Sequence, residues 1–177
     1  LFAEPGPERH HGGGRLKVMV LGHGNNGKST FLNALIGQAV LPQDAVPLTG
    51  NLTTVRQGSE DRFRVIGRDG QAAAWQALGE NHNDADNPRL PKQYTDGPSH
   101  TARHLNDVEV ELRVPGPEDS PAESLLARVP GIELMDAPGL GQDRAHDLRV
   151  EKARPHVLLV MCSAEHGGFS DKEKRAL

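Results

Sequence analysis

The sequence predicts an α/β fold of three layers on a mixed, mostly parallel sheet, and three observations carry that expectation. Residues 16–21 and 157–161 are almost continuously apolar, as strands covered on both faces must be, and residues 132–136, apolar at Ile132, Leu134 and Met135, read as another strand. Gly22-His23-Gly24-Asn25-Asn26-Gly27-Lys28-Ser29 follows the first of these runs and leads into residues 30–36, which are apolar at helical spacing. Strand, glycine-rich turn and helix form the arrangement of a P-loop, in which backbone N–H groups and a helix N-terminus converge on a phosphate. Residues 108–114 alternate apolar and charged, the pattern of a half-exposed strand, antiparallel or near an edge, which makes the sheet mixed.

Taken in order, residues 1–14 carry Pro, Gly, His and charge without periodicity and read as a flexible lead-in. The first strand, the P-loop and its helix follow, with Gly37 as the helix end. Residues 38–50 hold Pro42, Pro47 and Gly50 and read as a loop. Residues 52–57 and 62–66 read as strands joined by a turn at Gly58, Ser59 and Glu60. Residues 71–78 are Ala-rich and predict a short helix closed by Gly79. Trp75 within it reads as a packing anchor, since neither basic nor aromatic partners surround it in the sequence. Residues 80–105 are polar and read as an insertion with little core of its own and room for a short helix. Ser120, Pro121 and Glu123 supply a cap, a first-turn proline and a capping-box carboxylate for a helix over 121–128. Ser170 and Glu173 open a last helix in the same way.

Composition narrows the classes. A chain of 177 residues suggests one domain, and an aromatic fraction of 3% leaves Leu, Val, Ile and Ala to fill its core. A net charge of −4 argues against a general nucleic-acid or membrane-charge binder, so no nucleic-acid partner is expected. The histidines, including His10, His11, His100 and His104, form no metal-ligand spacing. Cys162 is the one cysteine, which excludes an internal disulfide and suits a reducing cytosol; following an apolar run, it reads as a buried, inert thiol. No run approaches the about 18 apolar residues of a membrane helix, so membrane contact is expected to be peripheral. The chain opens on Leu1 and stops at Leu177 soon after a helix begins, and reads as a fragment.

The chemistry concentrates in two stretches. In the P-loop, Gly22, Gly24, Asn25, Asn26, Gly27, Lys28, Ser29 and Thr30 are the phosphate-binding candidates; Lys28 reaches the outer phosphates and the Ser29 hydroxyl ligates Mg²⁺. Asp136-Ala137-Pro138-Gly139 ends the strand read at 132–136, placing Asp136 to hold Mg²⁺ and the Gly139 N–H to bond a γ-phosphate. Alone, such a sequence is a common turn. Between the two lies the 38–50 loop, where nucleotide switches place a mobile segment whose threonine closes on the metal. Thr49 is the preferred threonine, because Thr53 and Thr54 fall in a strand. Asn25 has two open readings: a hydrogen-bond donor to the β–γ bridging oxygen, or a turn residue tolerating left-handed geometry.

The order of these motifs resembles a GTPase switch. Residues 27–37, then Val40-Leu41-Pro42, Val46-Pro47-Leu48-Thr49, Asp136-Ala137-Pro138-Gly139-Leu140-Gly141 and residues 157–164 resemble bacterial dynamin-like proteins. The resemblance implies that residues 15–177 form part of a P-loop GTPase domain with a polar insertion around 80–105, incomplete at its C-terminal side. It implies GTP/GDP and Mg²⁺ as cofactors, with Lys28 on the β- and γ-phosphates and Ser29, Thr49 and Asp136 at the metal. Thr49 would also place the attacking water. It further implies pairing of GTPase heads into a homo-oligomer, lipid contact through stalk and tip regions absent here, and a cytoplasmic, peripherally membrane-associated protein that remodels bilayers. Leu140 stands where small regulatory GTPases carry a water-orienting glutamine, a feature dynamin-like proteins share. Asn25 and Gly24 stand where dynamins usually carry serine and eukaryotic dynamins glutamine. No Asn/Thr-Lys-x-Asp loop follows Cys162, so guanine preference comes from the resemblance alone. Two other functions fit the motifs: a soluble era-like GTPase of ribosome assembly, and a nucleotide-bound scaffold that does not hydrolyse.

Overall fold

The computed structural model describes residues 14–22, 26–43, 51–67, 69–79, 89–94, 107–113, 124–139 and 151–162. Its strands are β1 (Leu16–Gly22), β2 (Thr53–Gly58), β3 (Arg62–Ile66), β4 (Gln76–Ala77), β5 (Asp107–Arg113), β6 (Ile132–Asp136) and β7 (Val157–Met161). They form one sheet in the order β4-β3-β5-β2-β6-β1-β7. The strands expected at 16–21, 132–136 and 157–161 become its parallel part: β1 lies between β6 and β7 and runs parallel to both. The other half is mixed, with β2 antiparallel to β6 but parallel to β5, and β3 antiparallel to β5 and β4. The expected mixed α/β sheet is present, with three parallel and three antiparallel pairings rather than mostly parallel ones.

Helix α1 (Lys28–Ile36) ends at Gly37, whose left-handed φ of 83° lets its N–H bond the Asn33 carbonyl. Leu32 and Ile36 of α1, with Leu126 of the short helix α2 (Leu125–Arg128), pack on Val18, Val20, Val55, Val108, Val110 and Leu134 from the sheet. Met19, Leu21 and Met135 point to the opposite face, where Ala153 of a helical turn at 151–153 covers them. The strand alternation thus feeds two cores, one on each face.

Several expectations are corrected. Residues 71–78 are not helical: Ala72 bridges Ile66, and β4 pairs Gln76 with Phe63 and Ala77 with Arg62. Alanine's helix propensity yields to the turn at Gly67–Gly70, which folds this stretch back along β3. There Trp75 has basic partners after all, the Arg62 and Arg64 guanidiniums standing 4.6 and 4.4 Å from its ring centre. Strand β5 is antiparallel to β3, one of the two expected alternatives, but interior, lying between β2 and β3 although those two are joined by a turn. The reason is charge: Glu111 stands in register between Arg56 and Arg62, and Glu109 faces Arg64. Direct pairing of β2 with β3 would oppose arginines to arginines.

Within the 80–105 stretch, residues 89–94 are described, and there Leu90 is buried in the main sheet core and the Tyr94 ring lies 4.7 Å from that of Phe63. A 3₁₀ turn at Lys92–Tyr94 answers the expected short helix. Helix α2 begins at Leu125 rather than 121, with Ser124 extended before it. Cys162 is exposed, not buried, because it follows β7, which lies at the end of the described sheet. The lead-in up to residue 13, Ser120, Pro121, Glu123 and the helix at Ser170 lie outside the described residues.

Candidate phosphate and cation site

Strands β1 and β6 end side by side, Val20 in register with Asp136, and this common end carries the site. Gly22 closes β1 with φ at 151° against β7; a Cβ there would stand 2.5 Å from the Met161 carbonyl oxygen, so only glycine fits. Asn26 donates from Nδ2 to the same Met161 carbonyl at 3.1 Å, tying the turn to β7. Gly27 takes a left-handed φ of 73° and accepts the Phe31 N–H at 2.9 Å, so α1 starts at Lys28 with its N-terminus turned to the loop. The Lys28 ammonium donates back to the Gly22 carbonyl at 3.3 Å.

Lys28 is 5% exposed and Asp136 3% exposed. The Ser29 hydroxyl donates to Asp136 Oδ2 at 2.6 Å, joining the two sequence motifs in one cluster. Burial pushes the Asp136 carboxyl up to about 6, against the pull of the Ser29 hydrogen bond and the Lys28 charge. Burial also lowers the Lys28 ammonium, opposed by the Asp136 charge. Each group is thus held where its charged form lacks full solvation. Asp136 Oδ1 is buried without a hydrogen-bond partner, and so is Thr53 Oγ1.

These are the residues that a phosphate and a hard cation would satisfy. A hydroxyl and a carboxylate are oxygen donors suited to Mg²⁺, and an ammonium beside helix N–H groups suits phosphate. Among the described residues no group of three or more His, Cys, Asp or Glu could hold a metal.

Of the residues named from sequence, Gly22, Asn26, Gly27, Lys28, Ser29 and Asp136 converge here. Gly139 is buried two residues beyond Ala137, and Thr30 is exposed on α1. Gly24, Asn25, Thr49 and Leu140 lie outside the described residues. Sequence reading missed the work of Asn33: its Oδ1 accepts the Val40 and Leu41 N–H groups and its Nδ2 donates to the Leu41 carbonyl. This side chain fixes the path of residues 40–41, just before the loop that carries Thr49. Its signal was a polar amide among the apolar residues at 31–36. Arg89 supports the same path, donating to Asp61, Gln38 and the Gly79 carbonyl.

Comparison with known proteins places this site in a family. The model of the dynamin family matches residues 18–177. A bacterial dynamin-like protein of Nostoc punctiforme is 33% identical over 135 residues, 76% of this chain and 18% of that protein. A mitofusin of Saccharomyces cerevisiae is 27% identical over 158 residues, 82% of this chain and 18% of its own. A solved structure, described as an oligomerised bacterial dynamin pair that senses and tethers membranes at long range, aligns with a TM-score of 0.52. It is 18% identical, over 92% of this chain and 22% of that one. The chain spans about a fifth of the length of the relatives it matches. With the P-loop, the Asp136 turn and the mixed sheet around them, it belongs to the dynamin family and carries part of that family's GTPase head.

Proposed function

We propose that this head binds GTP with Mg²⁺ and hydrolyses it to GDP and phosphate, within a cytoplasmic, peripherally membrane-associated protein that remodels bilayers. The observation that carries the reading is the Ser29–Asp136 hydrogen bond beside buried Lys28, at the common end of β1 and β6. In this reading Lys28 neutralises the β- and γ-phosphates, and backbone N–H groups of the loop from Gly22 to Ser29 and of Gly139 bond phosphate oxygens. Ser29, Asp136 and Thr49 hold the cation, which supplies charge neutralisation on the phosphates. Thr49 also orients the attacking water, and Asn25 donates to the β–γ bridging oxygen. Family membership favours guanine over other bases and sets aside the era-like alternative.

Pairing of heads follows from the likeness to dynamin-like relatives and from the chemistry. A group delivered from a partner head contributes ~10³–10⁵ in rate where a head lacks its own. Membrane contact in this reading is made by stalk and tip regions, as the likeness to dynamin-like proteins implies; among the described residues no helix is long and apolar enough to cross a membrane.

The test is GTP turnover by the full-length protein, with and without liposomes and across protein concentration, beside Lys28→Ala. Turnover per head is expected to rise with concentration, and Lys28→Ala to lose ~10²-fold or more. Unchanged turnover in that variant would sink the assignment. Tight GTP binding with no phosphate release at any concentration would identify a scaffold instead.

A further inference from the structure

Thr53 stands in strand β2 and is fully buried, so it is not a mobile switch threonine. Its place in the sheet gives it another task. The antiparallel register sets Thr53 directly opposite Asp136. Directly opposed residues share a face of the sheet, with Cβ atoms roughly 4.5–5.5 Å apart. On that face Asp136 Oδ2 is taken by Ser29, while Asp136 Oδ1 and Thr53 Oγ1 are both buried and both without a partner. A donor and an acceptor that close lie within a small side-chain rotation of each other, or one water apart.

The neighbours sharpen the point. Thr53 is in register with Val108 on its other side, and Val55 follows on the same face. Valine has the shape of threonine and would fill this apolar row without burying an unpaired hydroxyl, which is destabilising. The hydroxyl has one polar neighbour across the strand pair, the carboxylate of the site.

We propose that Thr53 is a positioning residue for the cation side of the site, its hydroxyl donating to Asp136 Oδ1 directly or through one water. The Asp136 carboxylate is then held at both oxygens, Oδ2 by Ser29 from α1 and Oδ1 by Thr53 from β2. Residues that orient a metal-binding carboxylate in this way typically change metal affinity 10–100-fold when removed. Because Thr53 begins β2, directly after the segment containing Thr49, the hydroxyl also links the carboxylate to the strand from which that segment departs.

The inference rests on reading Asp136 as the cation-side residue, and the experiment separates the two. In the full-length protein, binding of a fluorescent guanine nucleotide is titrated with Mg²⁺ and repeated in EDTA, for wild type, Thr53→Val and Thr53→Ser. Expected is a rise of about tenfold in the Mg²⁺ midpoint for Thr53→Val, with affinity in EDTA within about twofold of wild type. Thr53→Ser, which keeps the hydroxyl, should return the midpoint to within about threefold of wild type. In nucleotide-free Thr53→Val the Asp136 Oδ1 loses its donor, so the melting temperature should fall below that of wild type, and Thr53→Ser should restore it. An unchanged Mg²⁺ midpoint, an equal loss in EDTA, or a serine variant that behaves like valine would overturn the role of Thr53 alone. A wild-type protein whose nucleotide binding ignores Mg²⁺ would overturn the reading of Asp136 and this inference with it.

Discussion

Two polar clusters occupy opposite faces of one sheet and follow opposite rules. On the α1 face, Lys28, Thr53 and Asp136 are buried beside half-buried Ser29, and Asp136 Oδ1 and Thr53 Oγ1 lack partners. On the other face, Arg56, Arg62 and Arg64 interleave with Glu109 and Glu111 across β2, β5 and β3. There each carboxylate meets two guanidiniums, Glu111 at 2.9 Å from Arg56 and 2.8 Å from Arg62. Burial alone would raise Glu111, but the Arg62 and Arg56 hydrogen bonds and charges outweigh it and leave the carboxyl below its usual value. Asp136 is shifted the other way. One cluster is satisfied within the chain; the other keeps buried oxygens without partners, which is where the proposed ligand would bind.

The largest expected effect comes from breaking the incomplete cluster. Asp136→Asn should cut GTP turnover ~10²-fold or more, through loss of the cation-side carboxylate. Yet the same change should stabilise the ligand-free protein. With a folded value of about 6 against an ordinary 3.8, folded Asp136 holds its proton where the unfolded chain has lost it. Stability from this group therefore falls as pH rises from about 4 to about 6, by ~3 kcal/mol, and is level above. Denaturant unfolding without nucleotide or Mg²⁺ should show Asp136→Asn gaining on wild type across that window. A parallel pair of pH curves would show that burial does not destabilise the carboxylate.

How much of this contrast was legible in the sequence follows from distance along the chain. The P-loop is local, so Gly22, Lys28 and Ser29 could be named from spacing, the bounds of β6 and β7 from apolar runs, and those of β3 from its strand pattern and flanking turns. Asp136 was legible because its strand and turn are contiguous. The Arg–Glu face was not, since it depends on β5 entering between two strands joined by a turn. Trp75 failed for the same reason: its arginine partners come from β3, and local alanine propensity pointed to a helix. Thr53 was visible only as a rival to Thr49, because its work depends on register with Asp136.

The complete cluster should respond in the reverse sense and by less. Glu111→Gln leaves Arg56 and Arg62 without the charge between them, and a partly buried pair of this kind is worth ~1–2 kcal/mol. Since the folded value of Glu111 lies below its ordinary 4.5, its contribution is present above that pH and disappears on acidification. Unfolding curves of wild type and Glu111→Gln should thus separate at pH 7 and close up below pH ~4, the mirror image of Asp136→Asn. GTP turnover per folded head should be unchanged. A loss of turnover in Glu111→Gln would show that the two faces are coupled.

The smallest effect tests how the Arg–Glu face ends. Trp75 lies half-buried over Arg62 and Arg64, whose guanidiniums are already engaged by Glu111 and Glu109. A cation–π contact at such a site contributes ~0.5–1 kcal/mol, and part of the Trp75 contact is plain covering of apolar surface. Trp75→Leu should therefore lose about 1 kcal/mol in denaturant unfolding. If the ring's charge attraction matters, the loss should shrink by ~0.5 kcal/mol in an Arg64→Met background. Equal losses in both backgrounds would mean that Trp75 merely covers the arginine stems. A coupled loss would mean that the aromatic ring closes the ladder as its last electrostatic member, and that the segment from Ala72 to Ala77 is held on β3 by that ring.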